Sequence, residues 1–391
     1  MVVVGGGLGA LRASESLRAH GYAGPITVVG DEPHLPYTRP PLSKEALLGG
    51  IDLDTLAFRR KPSVDDVDWR LGTPVIGSDL AAGTVSLADG TDLPFDGLVV
   101  ASGIRPRRLP IAGPKDGRVV LRTVDDAQRI REHLGPDTRL VVMGAGFIGC
   151  EVAATARRLG AEVAVVAIDE RPMVRPLGAD LGAAMQRVHE RNGVRFHLGH
   201  SIDSFTGDDR VRSAVLSDGT EVPADLVIEA VGSVPNTEWL QGNDLDLSDG
   251  VLTDSALQVR TDLAPVVAVG DIARYPSGLF GPTPRRIEHW NMPTETGRRA
   301  GQTLAALLAG DEPDRGPFTA MPAFWSDQYD HTLQSFGMPG IADRVEVIDG
   351  DLDGPCIVGY HDASGLVGVV GLDRTQDLVP YRRELMERSA S

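Results

Sequence analysis

A strand, a glycine turn and the start of a helix are written twice along this chain, and the duplication constrains the fold more than any other feature. The first copy is Val2-Val3-Val4-Gly5-Gly6-Gly7-Leu8-Gly9-Ala10. It continues as an Ala/Leu/Arg helix over residues 11–20 and reaches Ile26-Thr27-Val28-Val29 as the next strand. The second copy is Leu140-Val141-Val142-Met143-Gly144-Ala145-Gly146-Phe147-Ile148-Gly149, followed by a helix through Arg158 and the strand Val163-Ala164-Val165-Val166. A later element recurs as well. Asp89-Gly90-Thr91-Asp92-Leu93-Pro94 leads into a strand ending Ala101-Ser102-Gly103, and Asp218-Gly219-Thr220-Glu221-Val222-Pro223 leads into one ending Ala230-Val231-Gly232. Each copy closes on a proline, Pro106 and Pro235. The glycine turns are offset by 139 residues and the later elements by 129, and chance does not produce both repeats in the same order.

Each glycine turn lies between a strand and a helix, the context in which G-x-G-x-x-G binds a dinucleotide. The first glycine makes the turn, the second lets backbone approach a pyrophosphate, and the third lets helix pack on strand. Gly5, Gly7 and the variant Ala10 fill these positions in copy one, and Gly144, Gly146 and Gly149 in copy two. A carboxylate ending the second strand normally holds a ribose hydroxyl. Copy one has Asp31 there, with Glu32 beside it, whereas copy two has Ala167, with Asp169 as a substitute of the same side-chain parity.

The 391 residues suit two or three domains, and 46 glycines point to nucleotide-binding turns. The expected fold class is α/β: two Rossmann-like dinucleotide-binding domains and a small C-terminal α+β domain. The expected boundaries are 1–112 with 243–317 for the first, 113–242 for the second and 318–391 for the last. Thr261 to Val269 reads as a strand running into Gly270-Asp271. A helix over roughly 294–309 starts at Pro293 and stops at Gly310, and a final helix begins near Leu378.

A net charge of −17 argues against nucleic acid as a partner. Cys150 and Cys356 form no Cys-x-x-Cys pair and no metal-ligand spacing, so a dithiol centre is excluded. No run of 18 apolar residues and no cleavable leader is visible, so the chain reads as cytoplasmic, with no membrane partner.

At this point the chain resembles the FAD-dependent pyridine-nucleotide oxidoreductases of the glutathione reductase superfamily. Within it, the likeness is to the ferredoxin reductases of bacterial oxygenase systems. Pro36-Tyr37-Thr38-Arg39-Pro40-Pro41-Leu42-Ser43-Lys44 looks like the loop reaching the flavin. Val269-Gly270-Asp271 looks like the second FAD motif, and Ile287-Glu288-His289-Trp290-Asn291 like the segment beneath the flavin ring. Phe324-Trp325-Ser326-Asp327-Gln328-Tyr329 is similar to the start of that family's C-terminal domain.

The resemblance implies roles. Gly5, Gly7 and Gly9 would cradle the FAD pyrophosphate, with Asp31 on the ribose. Arg39, Val75, Ala101, Arg122, Asp271 and Trp290 would line the rest of the FAD site. Gly144, Gly146, Phe147, Ile148, Gly149, Glu151 and Gly232 would form the NAD(P) site. Lys44 would stand near flavin N5, paired with Glu151, and these two are the expected catalytic residues. Disulfide-reducing relatives carry cysteines where this chain has Pro-Pro-Leu-Ser-Lys, so electrons must leave to an external acceptor.

The resulting expectation is electron transfer from NADH, with NADPH possible, through FAD to a separate [2Fe-2S]-type ferredoxin that supplies an oxygenase. A rubredoxin reductase or general diaphorase, and a non-catalytic NADH-sensing flavoprotein, stay open. Because such ferredoxins are acidic, a local basic docking surface is expected, with Arg285, Arg286, Arg298 and Arg299 as its candidates.

Overall fold

The computed structural model describes residues 1–259 and 264–388. Thr261-Asp262-Leu263, expected to open the strand into Gly270-Asp271, lie outside the described residues, and that strand is seen as Val266–Ala268.

Both repeats fold into five-stranded parallel sheets of matching order. In the first, the strands run Asp68–Arg70, Thr27–Val29, Val2–Val4, Leu98–Val100 and Val266–Ala268. In the second they run Val194–Leu198, Glu162–Ala167, Arg139–Met143, Leu226–Glu229 and Arg118–Val119. Parallel strands are covered on both faces, which is why these segments read as unbroken valine runs. Val3 pairs with Val28 on one side and Val99 on the other, and all three are fully buried. Each sheet carries a three-stranded antiparallel appendage, Val75–Pro94 in one and Ile202–Pro223 in the other. The proline-closed segments that follow pair with each other: Ile104–Pro106 runs antiparallel to Ser233–Pro235.

The helix after the first glycine turn, Leu8–Ala19, packs along Met292–Ala309. Two glycines permit the approach. A Cβ on Gly297 would meet Arg12 Cβ at 2.9 Å, and one on Gly301 would meet Ser16 Cβ at 2.5 Å. This contact holds Gly270-Asp271 and His289-Trp290 at the glycine-turn end of the first sheet, with the Gly270 N–H donating to Thr296 Oγ1 at 2.9 Å. The helix begins two residues earlier than the sequence suggested. Pro293 sits within its first turn, where no N–H is needed, and Gly310 ends it at φ +80°.

The C-terminal part is a five-stranded antiparallel sheet, ordered 323–328, 331–337, 365–372, 356–362 and 344–350, closed by the helix Val379–Glu387. Its first strand lies against the helix Phe147–Arg158 of the second repeat. No helix among the described residues is long and apolar enough to cross a membrane.

Candidate active site

The two glycine turns obey the same steric rule. Gly5 and Gly144 stand at φ +120° and +107°, and a Cβ there would collide with Ala101 O at 2.1 Å and Ala230 O at 2.3 Å. Those two carbonyls belong to the second repeated element, so the repeats meet at this point in both copies. A Cβ on Gly7 or Gly146 would meet nothing within 4 Å, leaving open backbone at the N-termini of the helices Leu8–Ala19 and Phe147–Arg158. At the third position, a Cβ on Gly149 would strike Gly144 O at 2.2 Å, whereas Ala10 is accommodated and fully buried.

A cavity of about 840 Å³ opens from the first turn and runs to the junction of all three parts. All eleven residues expected at the FAD site line it: Gly5, Gly7, Gly9, Asp31, Arg39, Lys44, Val75, Ala101, Arg122, Asp271 and Trp290. Of the residues expected at the NAD(P) site, Phe147, Ile148 and Glu151 line the same cavity. Gly144, Gly146, Gly149 and Gly232 do not.

The charges in the cavity suit a bound dinucleotide. Arg39 donates to Glu32 at 2.5 Å and to the Arg122 carbonyl at 2.7 Å, while Tyr37 donates to the other Glu32 oxygen at 2.5 Å. Glu32 is thus committed within the protein, and its exposed neighbour Asp31 carries no ion pair among the described residues. Arg122 reaches Asp271 at 3.3 Å. Burial pushes the Asp271 carboxyl up, and the Arg122 guanidinium opposes that shift. Arg39 and Arg122 line the same cavity as the open N-terminus of the helix Leu8–Ala19, whose backbone N–H groups suit a diphosphate. The volume falls within the range of cofactor clefts, about 300–1,000 Å³. The donor set and the open backbone at Gly7 therefore fit FAD.

The far end of the cavity is aromatic. Trp290 packs edge-on to Trp325 with centroids 5.3 Å apart, and tilted against Phe58 at 6.5 Å. Phe147 meets Phe324 at 4.8 Å, and His289 meets Phe324 at 5.2 Å. Burial holds the His289 imidazole down at about 4, and its Nδ1 has no hydrogen-bond partner among the described residues.

Lys44 and Glu151 meet there. Lys44 Nζ lies 3.0 Å from Glu151 Oε1, and both side chains are nearly buried. Glu151 also accepts from Ser43 Oγ at 2.5 Å and Ser326 Oγ at 2.6 Å. The Ser43 carbonyl is held in turn by Thr155 Oγ1 at 2.7 Å. The Pro40–Ser43 turn is thereby pinned to the helix of the second repeat.

Comparison with known proteins gives the same assignment. Residues 1–297 match the pyridine nucleotide-disulphide oxidoreductase family and residues 323–391 the reductase C-terminal family. The chain belongs to the pyridine nucleotide-disulphide oxidoreductase family. It is similar to rhodocoxin reductase of Rhodococcus erythropolis, 35% identical over 398 residues, which span 98% of this chain and 89% of that protein. It is equally similar to the ferredoxin–NAD(+) reductase component of the p-cumate 2,3-dioxygenase system of Pseudomonas putida. That relative is 35% identical over 395 residues, spanning 100% of this chain and 94% of that protein. The crystal structure of a covalent putidaredoxin reductase–putidaredoxin complex matches with a TM-score of 0.90 at 33% identity, covering 99% of this chain and 93% of that one.

This member of the pyridine nucleotide-disulphide oxidoreductase family has no dithiol. Cys150 and Cys356 are both free and buried, and burial pushes the Cys150 thiol far up. Neither lines the cavity.

Of the arginines expected to dock a partner, Arg286 is bound to Asp249 at 2.6 Å and Glu288 at 2.7 Å, and Arg299 to Asp314 at 2.5 Å. Their side chains are only 12% and 13% exposed, so both are structural. Arg285 donates to the carbonyls of Phe280 and Thr283. Arg298 is exposed beside Glu295. Sequence reasoning missed a different run, Arg59-Arg60-Lys61. All three are exposed, and no carboxylate among the described residues forms an ion pair with them. They follow Phe58, at the aromatic end of the cavity. Three consecutive basic residues in so acidic a chain were the available signal.

Proposed function

We propose that this chain is an FAD-dependent NADH:ferredoxin reductase that passes electrons to a [2Fe-2S]-type ferredoxin serving an oxygenase. One observation carries the reading: Lys44 and Glu151 are paired and buried at the aromatic end of a dinucleotide-sized cavity, with no thiol within reach to take electrons onward. When bound, FAD supplies the conversion of a two-electron hydride donor into single electrons.

The residues of the chain do the rest. Asp31 takes the adenosine ribose, and the first glycine turn with Arg39 and Arg122 holds the diphosphate. Asp271 holds the ribityl side. Lys44 would place its cation by flavin N5, where a positive charge would offset the negative charge that reduction develops. Gly144, Gly146 and Gly149 would seat the second nucleotide, and Phe147 and Ile148 line the cavity toward Lys44, where its nicotinamide would be received. The boundaries 1–112 with 243–317, 113–242 and 318–391 are the matching domain assignment.

The nicotinamide preference follows from the end of the strand Glu162–Ala167. Ala167 offers no carboxylate, and Asp169 is paired with Arg175 at 3.3 Å. NADH is preferred by a modest ratio, and NADPH is used measurably. The docking face for an acidic ferredoxin combines Arg59, Arg60, Lys61 and Arg298 around the exposed edge of Trp290. Arg12, stacked 5.9 Å from the Phe58 ring, joins the loop to the helix that carries Arg298.

Steady-state reduction of an acceptor panel with NADH and NADPH tests the proposal. Plant- or oxygenase-type [2Fe-2S] ferredoxins should turn over faster than rubredoxin. Equal rates with every carrier would mark a general diaphorase.

A further inference from the structure

Glu151 is buried at the meeting point of three parts of the chain, and one of its donors comes from the C-terminal sheet. Ser326 is fully buried on the strand Ala323–Gln328, and its Oγ lies 2.6 Å from Glu151 Oε1. Behind it, Gln328 Nε2 is 3.0 Å from Ser326 Oγ, and Gln328 Oε1 is 2.7 Å from His189 Nε2. His189 Nδ1 is 3.4 Å from the Tyr329 hydroxyl. Gln328 and His189 are buried as completely as Ser326.

The donor inventory gives this chain of contacts one direction. An ionised carboxylate only accepts, so the single hydroxyl hydrogen of Ser326 points to Glu151. Ser326 Oγ must then accept from the amide NH₂ of Gln328, which turns the Gln328 carbonyl oxygen to His189. That oxygen cannot donate, so His189 carries its hydrogen on Nε2 and leaves Nδ1 to accept from Tyr329. Burial holds the His189 imidazole down at about 4, so the neutral Nε2–H form persists at working pH. Every hydrogen in the series points toward Glu151, and Lys44 closes it from the other side at 3.0 Å.

We propose that Ser326, oriented by Gln328 and His189, is a positioning residue that holds the Glu151 carboxylate on Lys44, so that the C-terminal sheet sets the geometry of the hydride-accepting end of the cavity. The proposal rests on the reading of Lys44 given above, and adds to it the element that keeps Lys44 in place. Ser43 and Ser326 grip Glu151 from opposite sides. Losing either lets the carboxylate rotate away from Lys44, although the helix that carries it stays where it is.

The test uses the full FAD-loaded chain under anaerobic stopped flow with NADH. Ser326→Ala should slow the limiting rate of flavin reduction roughly tenfold, or about 1.4 kcal/mol, without changing the NADH dissociation constant. Ser326→Thr, which keeps the hydroxyl, should recover most of the rate. In a Lys44→Ala background, Ser326→Ala should add nothing, because the two act as one unit. A wild-type rate for Ser326→Ala, or equal slowing in both backgrounds, would overturn the proposal. A second readout needs no turnover: nitrogen-15 imidazole spectra near neutral pH should show His189 as the Nε2–H tautomer, with a shift of that resonance in Gln328→Leu. An Nδ1–H tautomer would reverse the series and overturn it as well. A wild-type rate for Lys44→Ala beside a slowed Ser326→Ala would overturn positioning through Lys44, while full FAD content in both variants would leave the flavoprotein reading standing.

Discussion

Lys44 Nζ stands 3.0 Å from Glu151 Oε1, joining a turn of the first repeat to the helix that follows the second glycine turn. The pair forms at the junction of the two repeats and is sheltered from water, where a fixed cation acts most strongly on charge developing nearby. Lys44→Ala should therefore slow flavin reduction by NADH at least tenfold, while FAD stays bound. Stopped-flow reduction at the wild-type rate would make Lys44 a structural residue only.

Asp271 is a separate test of the cofactor site. Its carboxylate faces the cavity, with Arg122 as its one salt-bridge partner among the described residues, so it can accept from a bound cofactor hydroxyl. Asp271→Ala should weaken FAD retention by about 1.5–3 kcal/mol, the range for a hydrogen bond to a charged group. Equilibrium dialysis against free FAD measures this, and the wild type should be isolated yellow. A colourless wild type that cannot be reconstituted would contradict the cofactor assignment.

Nicotinamide discrimination should respond to one side chain. Ala167→Glu restores a carboxylate at the strand end, which bonds a ribose diol and repels a 2′-phosphate. The variant should raise the NADH/NADPH ratio of kcat/KM, chiefly through the NADPH term. Arg175→Ala frees Asp169 and should act in the same direction, more weakly. A wild type that favours NADPH would reverse the assignment.

Acid sensitivity should follow two histidines. His189 and His289 are both held near 4 by burial, against 6.5 in the unfolded chain. The unfolded imidazoles bind protons that the native ones refuse, so stability is full above pH 6.5 and is lost as pH falls toward about 4. Melting temperature should fall as pH is lowered across that window. His289→Asn should reduce the slope by about one proton per molecule. An unchanged slope would mean that His289 is protonated in the native state.

Much of this was legible in the sequence because it is local. Strand, glycine turn and helix lie within about ten residues of each other, and a Cβ clash at Gly5 or Gly144 makes glycine obligatory there. What was hidden depends on residues far apart in the chain. Ser326 lies 175 positions from Glu151, and nothing in Phe324-Trp325-Ser326 announces that contact. Arg286 and Arg299 looked like free charge because Asp249 and Asp314, which neutralise them, are placed beside them only by the fold. Asp169, the substitute carboxylate, is likewise paired with Arg175 six positions on, at the start of the helix Val174–Arg191.

The docking face gives a prediction that separates binding from chemistry. Arg59→Glu with Arg60→Glu should slow ferredoxin reduction and flatten its ionic-strength dependence, since rim charges act on association rate. Ferricyanide reduction, which needs no docking, should change far less. Parallel loss of both activities would move the docking face elsewhere.

The most direct test of the central claim is a single turnover. The FAD-loaded protein is reduced anaerobically with one equivalent of NADH and then mixed with oxidised [2Fe-2S] ferredoxin, and both chromophores are followed. The account predicts two ferredoxins reduced for each FAD reoxidised, at a rate that falls with added salt. A flavin that stays reduced beside oxidised ferredoxin, yet is discharged by ferricyanide, would contradict it.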